Sequence, residues 1–236
     1  MKTLGGGFSP VKVFKSAQRR PQQRLWTFKS QLRYLDIMFD SRKWLILALA
    51  FGCVSVSGWA HPHVWVTVRA QAVISSGYLE KVLVYWTFDE LFSSLVMLDN
   101  DANLDGKLDA NESLLVRKTY FDNLKGYGYF THMSLGKRDL AVKAVNEFLA
   151  GVSDAGRVMY QFSIPVGQRL DATTAFSFAF YDETFYTDMA FEKSEPVKLL
   201  VTEGGKAWVV IQPDSSKAFY GGQVVPIKAL VTWKPS

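Results

Sequence analysis

The stretch that decides the fold is residues 63–88, HVWVTVRAQAVISSGYLEKVLVYWTF. Its two halves, 63–74 and 79–88, are rich in Val, Trp, Tyr and Thr, which suit the pleated and half-buried surface of a strand. The Ser-Ser-Gly at 75–77 supplies a turn between them. The stretch therefore predicts a β-hairpin.

Short strand patterns, separated by Gly, Asp, Pro or Ser turns, continue after the hairpin. They occupy residues 129–135, 138–150, 157–165, 173–181, 196–202, 206–212 and 224–233. Two helical patterns, at 90–98 and 112–124, come between the hairpin and these strands. The order predicts a mainly β (α+β) chain, an antiparallel β-sandwich with a helix-loop-helix inserted after its second strand.

The inserted segment contains the most specific motif, DANLDGKLDANE at 101–112, which matches the twelve-residue EF-hand calcium loop. Calcium prefers several oxygen ligands, and Gly106 permits the tight turn around the ion. The predicted calcium ligands are Asp101, Asn103, Asp105, Lys107 (through its carbonyl), Asp109 (through a water) and Glu112. The alternative is a solvated Asp/Asn turn. Because no second such loop is recognisable, we expect a structural rather than a sensing role for calcium.

The amino-terminal region resembles a secretory leader. Arg42 and Lys43 precede an apolar stretch at 44–54, and small residues follow up to Ala60. The apolar stretch is shorter than the roughly 20 residues that a membrane span needs. We therefore expect a signal peptide at 38–60, cleaved after Ala60, and a periplasmic protein that is not itself an integral membrane protein. Cleavage after Gly58 is the alternative.

These expectations divide the chain into three parts. Residues 1–37 form a misassigned or disordered extension, residues 38–60 the signal peptide, and residues 61–236 a single exported β-rich domain with the EF-hand-like insertion at 89–124. Residues 1–60 hold ten of the 27 Lys and Arg and two of the 22 Asp and Glu, so residues 61–236 are slightly acidic. That balance argues against nucleic acid as a partner. Residues 61–236 also contain no cysteine, which excludes disulfides and thiolate metal sites there.

The three histidines of the chain are His61, His63 and His132. Pro62 keeps His-Pro-His extended, so that the first two imidazoles point to one side. We expect the strand that carries His132 to pair beside the first hairpin, which would complete a three-imidazole site for zinc, nickel, cobalt or copper. Asp89 is the candidate carboxylate ligand, with helix capping as its alternative role. The alternative for the histidines is a frayed terminus and an ordinary strand residue.

The order of several short motifs resembles one bacterial family. These are His-Pro-His-Val at 61–64, Trp-Thr-Phe-Asp-Glu at 86–90, the loop at 101–112, Tyr-Phe-Thr at 129–131 and Tyr-Asp-Glu-Thr-Phe-Tyr at 181–186. In that order they are similar to the domain of unknown function 1007 family, exported proteins described as periplasmic components of ABC-type transport systems. Members are frequently encoded near nickel/cobalt or zinc transporters. The resemblance implies periplasmic handling of a divalent metal and implies no particular reaction.

The sequence thus predicts a periplasmic divalent-metal-binding accessory protein of a nickel, cobalt or zinc transport system, with an inner-membrane transporter as its partner. Two alternatives stay open: a copper-dependent enzyme with a histidine brace at its terminus, and a calcium-stabilised adhesion or structural module. No Ser-His-Asp set and no glycine-rich phosphate loop is recognisable, which favours a protein without catalytic activity.

Overall fold

A computed structural model describes residues 62–236. The extension, the signal peptide and His61 lie outside the described residues. Within residues 62–236 the chain is mainly β and forms two sheets. No helix in this part of the chain is both long and apolar enough to cross a bilayer.

The first sheet is built around the predicted hairpin, β1 (Val64–Ser75) and β2 (Tyr78–Phe88), which pair in antiparallel fashion. Its strand order is β5-β6-β2-β1-β8, with β9 also paired to β1. The other members are β5 (Asn146–Val152), β6 (Val158–Arg169), β8 (Thr187–Phe191) and β9 (Val197–Glu203).

The second sheet has the order β10-β11-β7-β3-β4. Its members are β3 (Thr131–Leu135), β4 (Arg138–Leu140), β7 (Phe176–Phe180), β10 (Gly205–Pro213) and β11 (Ile227–Pro235). The central strand β7 carries Phe176, Phe178 and Phe180, which are buried in one cluster with side chains of β1 and β2. Two sheets that share a core in this way are consistent with a β-sandwich.

Period-two alternation explains how the hairpin faces this core. Along β1, Val66, Val68, Ala70 and Ala72 are buried, while Trp65, Thr67 and Arg69, which alternate with them, are exposed. The buried set on β2 includes Trp86, which packs edge-on against Phe162 at 5.0 Å between ring centroids. Burial of such aromatic and branched side chains supplies most of the driving force for the two layers to associate.

The strand predictions require four corrections. β1 pairs in parallel with β8 and β9, so the first sheet is not wholly antiparallel. The predicted strand at 138–150 is two strands, β4 and β5, that belong to different sheets. The short strand β8 was not predicted. The strand of His132, β3, does not join the first hairpin, because it pairs with β7 and β4 in the second sheet.

Two helices follow β2, α1 (Glu90–Asn100) and α2 (Ala110–Val116). A π-helical turn, Arg117–Phe121, and a 3₁₀ segment, Asp122–Phe130, which is kinked and non-helical at residues 127–129, then replace the predicted continuation of a regular helix to residue 124. Two buried serine hydroxyls fasten the helices to the first sheet. Ser93 accepts a hydrogen bond from the Val158 backbone N–H (3.0 Å), and Ser113 accepts one from the Ala150 N–H (2.8 Å).

Candidate metal-binding residues and the loop that connects them

His63 immediately precedes β1 and its side chain is exposed. Its backbone N–H donates to the carbonyl oxygen of Tyr186 at 2.8 Å, and its imidazole lies 4.9 Å from the Tyr186 ring between centroids. The backbone of His63 is thus already paired with the chain that enters β8. Its imidazole is therefore presented on a fixed strand end.

His132 lies on β3 and is half-buried. Its imidazole stacks on the ring of Tyr181, with 3.6 Å between centroids and 7° between planes, and Nε2 lies 3.0 Å from the Tyr181 carbonyl oxygen. Because a carbonyl oxygen only accepts, Nε2 carries the proton and Nδ1 keeps a lone pair. Burial lowers the pKa of His132, which favours the neutral, ligating form of the ring.

Both histidines are therefore held by the β7–β8 loop, residues 181–186, one at each end. The buried Asp182 fixes the conformation of this loop. Its Oδ1 accepts from the backbone N–H and the hydroxyl of Thr184, and its Oδ2 accepts from the N–H of Thr187. Asp182 is only 3% exposed, although acidic side chains in a loop are usually at the surface.

Asp89 is the N-cap of α1. Its Oδ1 accepts from the Phe92 N–H (2.9 Å) and its Oδ2 from the Trp65 N–H (2.8 Å). Each oxygen thus serves the backbone, the first by satisfying a free donor of the helix and the second by tying α1 to β1. The geometry is that of the capping alternative.

Asp188 is a carboxylate on β8 that the sequence pattern did not mark as a metal ligand. In the parallel pairing of β1 with β8, Trp65 is opposite Asp188, and His63 is bonded to Tyr186, two residues earlier. Residues two apart on a strand share a face, so His63 and Asp188 are diagonal neighbours on one face. No hydrogen bond or ion pair involves the Asp188 carboxylate within residues 62–236, and burial raises its pKa. Only strand pairing reveals this placement.

The 101–112 loop connects α1 to α2, and backbone N–H groups organise its side-chain oxygens. Gly106 N–H donates to Asp101 Oδ2 (2.9 Å), and Ala102 N–H donates to Glu112 Oε1 (2.9 Å), so that Glu112 spans the loop to its first turn. Gly106 adopts a φ of +76°, which glycine tolerates best. The remaining predicted ligands Asn103, Asp105, Lys107 and Asp109 are exposed.

Glu112 and Asp109 also form a capping box at the start of α2. Asp109 Oδ1 accepts from the Glu112 N–H (2.9 Å), and Glu112 Oε2 accepts from the Asp109 N–H (2.8 Å). The loop is notable for its charge, since Asp101, Asp105, Asp109 and Glu112 make no ion pair with any cationic group among the described residues. Asp101 and Glu112 are nevertheless buried.

Within residues 62–236, no group of three or more His, Cys, Asp or Glu side chains is arranged to hold a metal ion. The histidine site that we predicted includes His61, which is outside the described residues. His63 and His132 are connected through the β7–β8 loop rather than through adjacent strands.

Comparison with known proteins places the chain in a family. Residues 46–221 match the model of a protein family described as "Protein of unknown function (DUF1007)". The chain is also 50% identical over 141 residues to an uncharacterized 15.5 kDa protein in the trpE 3′ region of Spirochaeta aurantia, an alignment that covers 60% of this chain and 100% of that protein. The chain belongs to the DUF1007 family.

Proposed function

We propose that the protein is a periplasmic accessory protein that binds one divalent transition metal ion for a metal transport system, and that calcium stabilises its helical insertion. The observation that carries the proposal is the β7–β8 loop, which holds His63 at one end and His132 at the other. Two of the three histidines are thereby attached to one fixed segment. Two histidines with unrelated structural roles would not both need to contact the same loop.

His132 makes a hydrogen bond through one ring nitrogen, as metal-ligating histidines usually do. Such residues donate one ring N–H to a carbonyl or carboxylate, which orients the ring and leaves the other nitrogen for the metal. In His132 the Nε2–H to Tyr181 bond performs that role, and the stacked Tyr181 ring restricts rotation. Nδ1 is the nitrogen available to a metal.

His61 and His63 would supply the other imidazoles, and we assign the carboxylate to Asp188 in place of Asp89. In this structure His63, His132 and Asp188 do not converge on one ion position, so the proposal requires the β7–β8 loop to bring them together when the ion binds. Asp188 shares a face with His63 and has no other partner among the described residues, whereas both oxygens of Asp89 already accept backbone hydrogen bonds. Imidazole and carboxylate ligands suit zinc, nickel, cobalt or copper.

Calcium fits the donor set of the EF-hand-like loop, which contains only oxygen ligands. Its four carboxylates lie within twelve residues without a cationic partner in the described chain, and two of them are buried, where unpaired negative charge is unfavourable. Each carboxylate oxygen that accepts one N–H retains a further lone pair for a cation. Asp101, Asp105 and Glu112 would hold the ion, and the ion would offset their mutual repulsion.

The partner that we propose is an inner-membrane metal transporter. A contact surface is suggested by Leu91, Leu95 and Leu98 on α1, which are 74%, 48% and 83% exposed. Their spacing puts them on one face of the helix. Exposed apolar stripes of this kind mark contact sites for other proteins or membranes.

The first experiment is metal analysis of the protein purified from the periplasm, with its intact mass measured on the same sample. We expect calcium together with about one equivalent of zinc, nickel, cobalt or copper, and a mass that begins at His61. Calcium alone, with no uptake of added transition metals by the metal-free protein, would reject the transport function and leave the calcium-stabilised module. Copper preference combined with an oxidase reaction would favour the histidine-brace enzyme.

A further inference from the structure

A cavity of about 170 Å³ lies between the hairpin and the helical insertion. Its walls include Trp86 and Phe88 of β2, Phe92 of α1 and Tyr160 of β6, with Tyr186 at the exposed end. No charged side chain lines it. This composition is that of a site for a small apolar molecule, since ligand sites are mostly apolar and aromatic with a few fixed polar groups.

The wall contains two buried hydrogen-bond donors that lack a partner. Trp86 and Tyr160 are 1% and 2% exposed, and neither Trp86 Nε1 nor the Tyr160 hydroxyl has a hydrogen-bond partner in the part of the chain that the structure describes. Native proteins leave few buried polar groups unpaired, because each costs free energy. Burial also raises the pKa of Tyr160, so its hydroxyl stays protonated and able to donate.

A third such donor provides a comparison. Trp233 Nε1 is also buried and unpartnered, but Trp233 is not part of this wall. Lack of a partner alone therefore does not define the site. What distinguishes Trp86 and Tyr160 is that their side chains line a space large enough for a molecule.

The volume sets the size of that molecule. A cavity of roughly 150 Å³ with apolar walls accepts benzene, so a single ring with a small substituent suits the space here. A water that accepted from both donors would occupy only a small part of this volume, since one water takes up about 30 Å³. An organic ligand would bury its ring against the aromatic side chains, which water cannot do.

We propose that this cavity binds a single-ring apolar compound that carries one hydrogen-bond acceptor, such as a carbonyl oxygen. Trp86 Nε1–H and Tyr160 O–H have almost no accessible surface here, so a small shift of the wall on binding brings one of these donors to the acceptor. The proposal does not depend on the metal-binding function. It nevertheless puts the ligand beside His63, because Tyr186 both lines the cavity and contacts the His63 ring.

The test compares two probes of the same shape, acetophenone and α-methylstyrene, in which the carbonyl oxygen is replaced by a methylene group. Binding to the purified metal-free protein is measured by isothermal titration calorimetry. We expect acetophenone to bind about tenfold more tightly, as one ordinary hydrogen bond would provide. The ratio of the two affinities should decrease at least threefold in the variant that removes the donor, either Trp86→Phe or Tyr160→Phe. The ratio should stay unchanged in the matched control Trp233→Phe.

Leu124→Phe adds bulk to the cavity wall, so it should weaken the binding of both probes. Circular dichroism verifies that each variant is folded, and a crystal structure of the wild-type protein with acetophenone locates the ring if both Phe variants fail to fold. Equal affinity for the two probes, binding of neither probe, or electron density for acetophenone elsewhere would each overturn the proposal. None of these outcomes bears on metal binding, which is measured separately.

Discussion

His132 lies parallel to Tyr181, with 3.6 Å between ring centroids, and its Nε2 is 3.0 Å from the carbonyl oxygen of the same residue. One residue thus fixes both the plane and the tautomer of the imidazole. The other described histidine, His63, is bonded to Tyr186 at the opposite end of the loop. This relationship leads to the first prediction.

Replacement of His132 by Phe should weaken zinc binding at least tenfold, because it removes the Nδ1 ligand while keeping a ring that can stack on Tyr181. His63→Ala should have a similar effect. Tyr186→Phe is the matched control, since it retains the ring beside His63, and should leave affinity unchanged. Competition with a chromophoric chelator measures the affinities. Zinc affinity of His132→Phe equal to wild type would place His132 outside the site.

Asp188→Asn should weaken zinc binding and at the same time raise the melting temperature of the metal-free protein at pH 7. The reason is that burial raises the pKa of Asp188, so the ionised carboxylate opposes folding once the pH exceeds that pKa. The stability gain should disappear in acid, where Asp188 is protonated. Thermal unfolding at a series of pH values, with and without zinc, tests both effects.

Asp89→Ala tests the other candidate carboxylate. It should destabilise the fold without changing zinc affinity. It removes the cap of α1 and the bond to the Trp65 N–H, and loss of an N-cap costs about 0.5–2 kcal/mol. Urea unfolding gives the free energy. If Asp89→Ala loses zinc and Asp188→Asn does not, the carboxylate assignment is reversed.

Calcium should raise the melting temperature, with stabilisation of about 2.7 kcal/mol when its concentration is a hundredfold above Kd. Glu112→Gln should abolish this response, yet keep the capping box at α2, because glutamine also serves at that position. The exposed Asp154→Asn, outside the loop, is the control. A full calcium response in Glu112→Gln would contradict the calcium site.

Ser93→Ala and Ser113→Ala should each destabilise the protein by about 1–3 kcal/mol, since each leaves a buried backbone N–H of the first sheet without its acceptor. The control is Ser94→Ala, because Ser94 is exposed and lies next to Ser93 on α1; this variant should have little effect on stability. Hydrogen exchange should be faster in α1 of Ser93→Ala and in α2 of Ser113→Ala. Unchanged protection of the helices would show that other contacts fasten the insertion.

The metal-free protein should lose stability as the pH falls below 6.5, and His132→Phe should reduce that loss. Burial lowers the pKa of His132, so the unfolded chain takes up the proton first, and stability present above 6.5 is lost as the pH falls through the folded-state pKa. Urea unfolding of both proteins at pH 7.5 and pH 5 measures the difference. An identical pH dependence would contradict this assignment.

Local sequence patterns were sufficient to predict several elements of the fold. The first hairpin was predicted to within one or two residues at each end, because alternation and the Ser-Ser-Gly turn are encoded within the segment itself. The start of α1 was predicted for the same reason, as was membership of the DUF1007 family, which depends on the order of short motifs. The twelve-residue spacing at 101–112 likewise requires no knowledge of the fold.

Tertiary structure decided what depends on pairing between distant segments. The register of β1 against β8 puts Asp188 beside His63, and nothing local to either residue encodes that register. The assignment of His132 to the second sheet, and of Asp89 to two backbone donors, likewise follows from segments that meet only after folding. Side-chain type and spacing are properties of the chain, whereas proximity between residues far apart in sequence arises from the packing of the two sheets.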